Sequence, residues 1–183
     1  NRQNYDWSNG PKVFSELLKS SKRNPKYDCI VPVSGGKDST YQVWRVLQEG
    51  FNPLCVTAPT DQLTKLGRRN IENLKNLGCD YIEVSVNRDV RKKINRHAFF
   101  SVGDIQWPEH VLIYTIPVRM AVLLNIPVII WGECGQREYG AGRPEDIELM
   151  YFDRRVLEEY GSLNGLRVSD LTGISGVSEK DLY

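Results

Sequence analysis

Asp28-Cys29-Ile30-Val31-Pro32-Val33-Ser34-Gly35-Gly36-Lys37-Asp38-Ser39 is the stretch on which the fold turns. Its first half is a short apolar run rich in β-branched residues, the composition of a parallel strand buried on both faces. The run stops at Ser-Gly-Gly. From Ser39 the period becomes helical, with Val43, Trp44 and Leu47 on one face and Gly50 as a natural stop. A glycine pair between strand and helix lets backbone N–H groups approach an anion with no Cβ in the way. The positive end of the following helix adds to the attraction. Ser34 and Ser39 offer hydroxyl donors, Lys37 offers charge to neutralise phosphate, and Asp38 suits Mg²⁺ or the loop's own N–H groups. Two commoner phosphate loops are excluded by spacing. Lys37 precedes Asp38 with no earlier glycine of G-x-x-x-x-G-K-[ST], and G-x-G-x-x-G fails as well.

The alternation continues outward from this stretch. Pro53-Leu54-Cys55-Val56-Thr57 reads as a second strand, and Ile71, Leu74 and Leu77 stripe a helix that Thr64 caps and Gly78 ends. Tyr81-Ile82-Glu83-Val84 reads as a third strand, followed by a basic helix from about Val90 to Phe99. Pro108 suits the first turn of another helix, which Pro117 is expected to break or restart before Met120-Ala121-Leu123-Leu124. Pro127-Val128-Ile129-Ile130-Trp131 reads as a fourth strand. The fold class expected is α/β, a parallel sheet of about five strands with helices on both faces. Right-handed crossovers then bring the loops after Val33, Thr57, Val84 and Trp131 to one edge of the sheet, where ligands bind.

Upstream, residues 1–27 form a polar lead-in with one short amphipathic helix at Val13-Phe14-Leu17-Leu18; residues 28–143 make the main domain. Residues 144–183 form a C-terminal extension, with a helix over 144–160 and then a Gly/Ser-rich remainder that completes no sheet. The whole reads as an excerpt from a longer chain.

The 183 residues are 40% hydrophobic and 26% charged, an ordinary globular mixture. The net charge of +1 gives no support for general binding to nucleic acid or membrane surfaces. No apolar run approaches the roughly 20 residues that span a bilayer, and the start does not resemble a signal peptide. Cys29, Cys55, Cys79 and Cys134 are scattered, with no C-x-x-C pair. Three of them lie in or beside apolar segments as small buried hydrophobes, and the simplest setting is the reducing cytoplasm.

Two further clusters carry polar chemistry. The first is Gly103-Asp104-Ile105-Gln106-Trp107-Pro108-Glu109-His110. The second, Trp131-Gly132-Glu133-Cys134-Gly135-Gln136-Arg137-Glu138-Tyr139-Gly140, follows the fourth expected strand directly, which turns Glu133 toward the cleft. An ordinary polar loop with glycine turns is the plainer reading of such a stretch. The positions Arg88, Arg91, Lys92, Lys93 and Arg96 read as a solvated helix face.

The hexapeptide Ser34-Gly35-Gly36-Lys37-Asp38-Ser39 resembles the S-G-G-x-D-S/T signature of the PP-loop ATP pyrophosphatases. That resemblance implies an adenine nucleotide alpha hydrolase-like, Rossmann-like sheet and a loop gripping the β and γ phosphates of ATP with Mg²⁺. It implies cleavage between the α and β phosphates, with adenylation of a substrate oxygen. Adenine is then expected against Val56, Thr57 and Ala58. With the two polar clusters and Thr64-Lys65-Leu66-Gly67-Arg68-Arg69-Asn70-Ile71, most of residues 4–150, from Asn4 and Trp7 onward, resembles one branch. This branch is the N-acetyl sugar amidotransferases of surface-polysaccharide (lipopolysaccharide, O-antigen) biosynthesis.

The branch implies conversion of an acetamido group on a nucleotide-linked sugar to an acetamidino group. Catalytic residues expected are Lys37, Asp38, His110 and Glu133, with Asp38 also holding Mg²⁺. Substrate-binding residues expected are Trp107, Glu109, His110, Gly132, Glu133, Glu138 and Tyr139. Around Cys134 the second glycine stands one position early for a glutaminase elbow, and neither His97 nor His110 sits in an H-x-E pair. Ammonia is therefore expected from a separate glutaminase subunit. The alternatives are a tRNA-modifying PP-loop ligase or thiolase, and an ATP-binding module without turnover. Paired catalytic cysteines or a basic RNA-binding domain would mark the first, and neither is evident.

Overall fold

A computed structural model describes residues 8–59, 63–105, 107–132 and 166–182, the side chains of Trp107 and Val168 excepted. The approach at Asn4 and Trp7, the positions Glu133, Cys134, Glu138 and Tyr139, and the helix expected over 144–160 lie outside the described residues. In chain order the elements are α1 (Gly10–Ser21), β1 (Cys29–Pro32), α2 (Lys37–Gln48), β2 (Pro53–Thr57), α3 (Lys65–Asn76) and β3 (Asp80–Glu83). They continue with α4 (Arg88–Val102), α5 (Trp107–Leu124) and a short α6 (Val168–Leu171). The described residues form two compact units interleaved in sequence. One holds 8–57, 63–83 and 117–132; the other holds 58–59, 84–105, 107–116 and 166–182.

The first unit carries the parallel sheet, with strand order β1-β2-β3. Val31 pairs with Cys55, and Cys55 with Tyr81, so these three residues share one face. That face forms the core with Leu18 from α1, Val43 and Val46 from α2, and Leu74 from α3. Each such side chain, fully buried, contributes about 1.5–3 kcal/mol. The residues pointing the other way, Ile30, Leu54 and Val56, are buried too. Both faces of the sheet are thus covered, as a parallel sheet requires. The buried face of α2 carries Val43 and Val46 rather than Trp44, which is exposed and stacks on Tyr41 at 5.6 Å between ring centroids. A step of 100° per residue swings position 44 away from the line joining 43 and 46.

The sheet departs from expectation at its β1 edge. Among the described residues it has three strands, and 127–131 joins β1 only through a parallel bridge between Ile30 and Ile129. The bridge is made by Ile30 N–H to Val128 C=O and Ile130 N–H to Ile30 C=O, each 2.9 Å. The next residue of β1 facing this side is Pro32, which has no N–H to donate to Ile130. Proline stops the ladder there.

The second unit is built on α4 and the first part of α5. Ile94 and Ala98 of α4 pack with Leu171 and Val177, so the Gly/Ser-rich tail contributes to a small core of its own. Helix α5 runs unbroken through Pro117, contrary to the break expected there. Buried Ile116 and Ala121 on either side show how packing offsets the one backbone hydrogen bond that proline removes. Among the described residues, no helix is long and apolar enough to cross a membrane.

Candidate functional site

The parallel register puts the C-terminal ends of β1, β2 and β3 at one edge of the sheet. Residue 129 lies on one side of β1 and β2 on the other, so the winding direction reverses beside β1. Such a switch point opens a crevice at the carboxyl edge, where α/β sheets bind ligands. Residues 34–39 and Trp131-Gly132 flank it.

The shape of the loop follows from its glycines. Gly35 adopts φ +78°, and a Cβ there would lie 2.9 Å from both Cγ1 and N of Ile71 on α3. Only glycine meets both conditions. Gly36 precedes the first turn of α2, and its C=O accepts from Thr40 N–H at 3.1 Å and Thr40 Oγ1 at 2.8 Å. Ser39 Oγ donates to Gly36 C=O at 3.2 Å and accepts from Ser34 N–H at 3.4 Å. Ser34 Oγ accepts from Gly36 N–H at 3.4 Å. Ser39 therefore spends its hydroxyl proton on the loop, while Ser34 keeps one to donate outward. Among the described residues no side chain caps α2, so its first-turn N–H groups remain at an exposed helix start. Lys37 and Asp38 stand in solvent, 88% and 79% exposed, and pair with each other at 2.7 Å.

The neighbouring segments are as closely specified. Thr64 Oγ1 caps α3 by accepting from Gly67 N–H at 3.0 Å, and the middle of that helix, at Asn70 and Ile71, lies against Gly35. Arg68 forks onto Glu83 at the end of β3, with Nη2 to Oε1 at 3.0 Å, and Tyr81 donates to the same carboxylate at 2.8 Å. The hydrogen bonds from Arg68 hold the Glu83 carboxyl below its usual range. Burial and the bond to Glu83 push the Tyr81 phenol well up. Of the residues expected to meet adenine, Val56 lies in the core with its C=O bonded to Val33 N–H. Thr57 is also buried, and Ala58 is half-buried.

The loop and the last strand segment are tied by a residue that the sequence reading did not single out. Gln42 Nε2 donates to Trp131 C=O at 3.0 Å, and a Cβ at Gly132 would lie 3.0 Å from Gln42 Oε1. A polar residue three and four positions beyond Ser39 and Asp38, beside buried Val43, is the one local signal for it.

In the second unit, α5 starts at Trp107 and places Glu109 and the half-buried His110 in its first turn and a half. Glu109 Oε1 accepts from Arg91 Nε at 2.9 Å, Arg91 Nη2 at 2.6 Å and Asn95 Nδ2 at 3.1 Å. Arg91 Nη1 also donates to Pro59 C=O at 3.1 Å. Arg91 is only 5% exposed, which corrects the solvated-face reading for that position; Arg88, Lys92, Lys93 and Arg96 are exposed. Glu109 is the counter-ion of a buried arginine. Charge runs hide such exceptions because the face of a helix that meets a core recurs every three or four residues and takes in some members of a basic run.

Cys29, Cys55 and Cys79 are buried free thiols, and burial pushes Cys29 up to about 12. Among the described residues, no group of three or more His, Cys, Asp and Glu gathers to hold a metal ion. Asp38 fits Mg²⁺ in the other usual way, as one carboxylate beside phosphate oxygens and water. The loop fits an anion because, among the described residues, the helix start beyond it has no side-chain cap.

Comparison with solved structures agrees with the topology. The chain is similar to the NH3-dependent NAD synthetase of Campylobacter jejuni in complex with the nitrate ion, with a TM-score of 0.53 and 14% identity. The match covers 97% of this chain and 95% of that one. That likeness shows the fold, a Rossmann-like α/β arrangement with a parallel sheet. A weaker likeness is to the NMN synthetase of Francisella tularensis, with a TM-score of 0.48, 13% identity, and coverage of 67% and 52%. The chain spans about half the length of that enzyme. A predicted subunit of tRNA methyltransferase from Methanocaldococcus jannaschii follows, with a TM-score of 0.39, 16% identity, and coverage of 85% and 91%. No family model matches the sequence, and no curated protein does.

Proposed function

We propose that this chain binds ATP with Mg²⁺ in a PP-loop and consumes the ATP to replace the acetamido oxygen of a nucleotide-linked N-acetyl sugar with ammonia nitrogen. The observation that carries the reading is the uncapped start of α2 behind a loop whose Gly35 no other residue can replace. An amide oxygen is a poor leaving group. Attack by that oxygen on the α phosphorus of ATP releases pyrophosphate and makes the oxygen part of AMP. Ammonia then adds to the carbon, AMP departs with the oxygen, and an acetamidino group remains. The first-turn N–H groups and Lys37 bind and orient the phosphates, which is most of what this chemistry asks of a protein. Mg²⁺, when bound, neutralises phosphate charge, and Asp38 is the residue that would hold it.

Thr57 and Ala58 are assigned to the adenine. Trp107, His110, Gly132, Glu133, Glu138 and Tyr139 are assigned to the sugar nucleotide, with His110 or Glu133 relieving the attacking ammonia of its proton. Glu109, already neutralised by Arg91, is assigned to shaping that region rather than to direct contact. A separate cytoplasmic glutaminase subunit supplies the ammonia. The high pKa and burial of Cys29, and the burial of Cys55 and Cys79, favour this reading over thiol chemistry on tRNA.

The test is incubation of the intact protein with ATP, Mg²⁺, ammonium and UDP-N-acetylglucosamine or a related acetamido sugar nucleotide. AMP formed only with sugar and ammonia supports the proposal. AMP formed only with tRNA favours the ligase, and ATP binding without AMP favours a module without turnover.

A further inference from the structure

Parallel pairing with β1 fixes the segment after α5 only as far as Ile130, because Pro32 has no N–H with which to extend the ladder. The chain must nevertheless leave the sheet in a defined direction at Trp131. Where the backbone ladder stops, a side chain takes over. Gln42 Nε2 donates to Trp131 C=O at 3.0 Å, across 89 residues of sequence. Gly132 then admits the amide, since a Cβ there would lie 3.0 Å from Oε1 and 3.2 Å from Nε2 of Gln42. Among the described residues the buried Oε1 finds no hydrogen-bond partner, so the contact with Trp131 is made through the donor end of the amide. An apolar residue of the same length would avoid that cost and lose only the donor. Gln42 sits one turn beyond Asp38 and Ser39 on α2, so its position follows the phosphate loop.

We propose that Gln42 is a positioning residue that couples occupancy of the phosphate loop to the exit of the chain at Trp131-Gly132. The coupling to ATP rests on the function proposed above; the positioning of Trp131 does not. The coupling gives one protein segment, the first turns of α2, control over both walls of the switch-point crevice. It also explains why a proline is tolerated in β1 on the side facing 129.

Amide hydrogen exchange of the intact protein, with and without Mg²⁺-ATP, tests this. In the native protein, ATP is expected to slow exchange at 34–39 and at 130–132. In Gln42→Met, which keeps the length of the side chain but not its donor, protection at 34–39 by ATP should persist. Exchange at 130–132 should rise about fivefold or more and cease to respond to ATP. Gly132→Ala should raise exchange there in the native background and have no further effect beside Gln42→Ala. Native-like protection of 130–132 in Gln42→Met overturns the proposal, as does ATP protection of 34–39 that never reaches 130–132 in the native protein. Absence of ATP protection at 34–39 defeats the ATP reading and the coupling alike, while the ATP-independent loss at 130–132 still decides the positioning role.

Discussion

A Cβ on Gly35 would stand 2.9 Å from both Cγ1 and the backbone N of Ile71. The phosphate loop is therefore packed against α3 with no room for a side chain, at a residue whose φ is +78°. Gly35→Ala is expected to cost about 2–4 kcal/mol, from left-handed strain and overpacking together. Gly36→Ala meets only Ser34 Oγ at 3.3 Å and should cost far less. Urea denaturation of the two variants checks the contrast, and equal losses would refute the packing account.

Lys37 makes its one described ion pair with Asp38 in open solvent, a contact worth little to folding. Lys37→Ala should leave Tm unchanged while weakening ATP binding about tenfold or more, the usual worth of a charge-assisted bond to phosphate. Calorimetric titration with Mg²⁺-ATP beside a thermal melt separates the two effects.

Arg91 is buried and pairs with the half-buried Glu109, their side chains being 5% and 19% exposed. Removing one partner strands the other, so Glu109→Ala should lose about 3–5 kcal/mol. Glu109→Gln keeps an acceptor for Arg91 and Asn95 and should lose less. A variant that kept native stability yet lost activity would return Glu109 to direct substrate binding.

Stability should fall at both ends of the pH scale for separate reasons. The hydrogen bonds from Arg68 hold the Glu83 carboxyl below its usual range. Its contribution is complete above that range and vanishes as pH falls through the lowered value. Burial and the bond to Glu83 raise Tyr81, so its contribution is complete below about pH 10 and is lost as pH rises through the raised value. Cys29, pushed up by burial to about 12, acts in the same sense. Melting curves across the pH range should show Glu83→Gln flattening the acid limb and Tyr81→Phe flattening part of the alkaline one.

Buried thiols with raised pKa are poor nucleophiles. Cys29, Cys55 and Cys79 should resist a disulfide reagent in the native protein and react on unfolding in urea. Rapid native labelling of any of the three would contradict the core described for β1, β2 and β3.

The strands β1, β2 and β3 and the helices α2 and α3 were legible because their signals are short-range. An apolar β-branched run, a Gly-Gly at the period change and Thr64 three residues before Gly67 each act within a turn or two of chain. The inward turn of Arg91 and the outward turn of Trp44 were not legible, since a helix period does not say which of two candidate faces meets a core. The break expected at Pro117 failed for a related reason: local propensity is overridden where flanking residues are buried.

By itself, then, the sequence determined the α/β alternation, the parallel sheet and the loop Ser34–Ser39, because backbone sterics and hydrophobic period are local properties. Tertiary structure alone decided which distant groups close the site. The pairing of Ile30 with Ile129, its arrest at Pro32 and the bond from Gln42 to Trp131 join residues up to 99 apart in sequence. No local period encodes such pairs; they exist only once the sheet has formed and each buried donor has found an acceptor within reach.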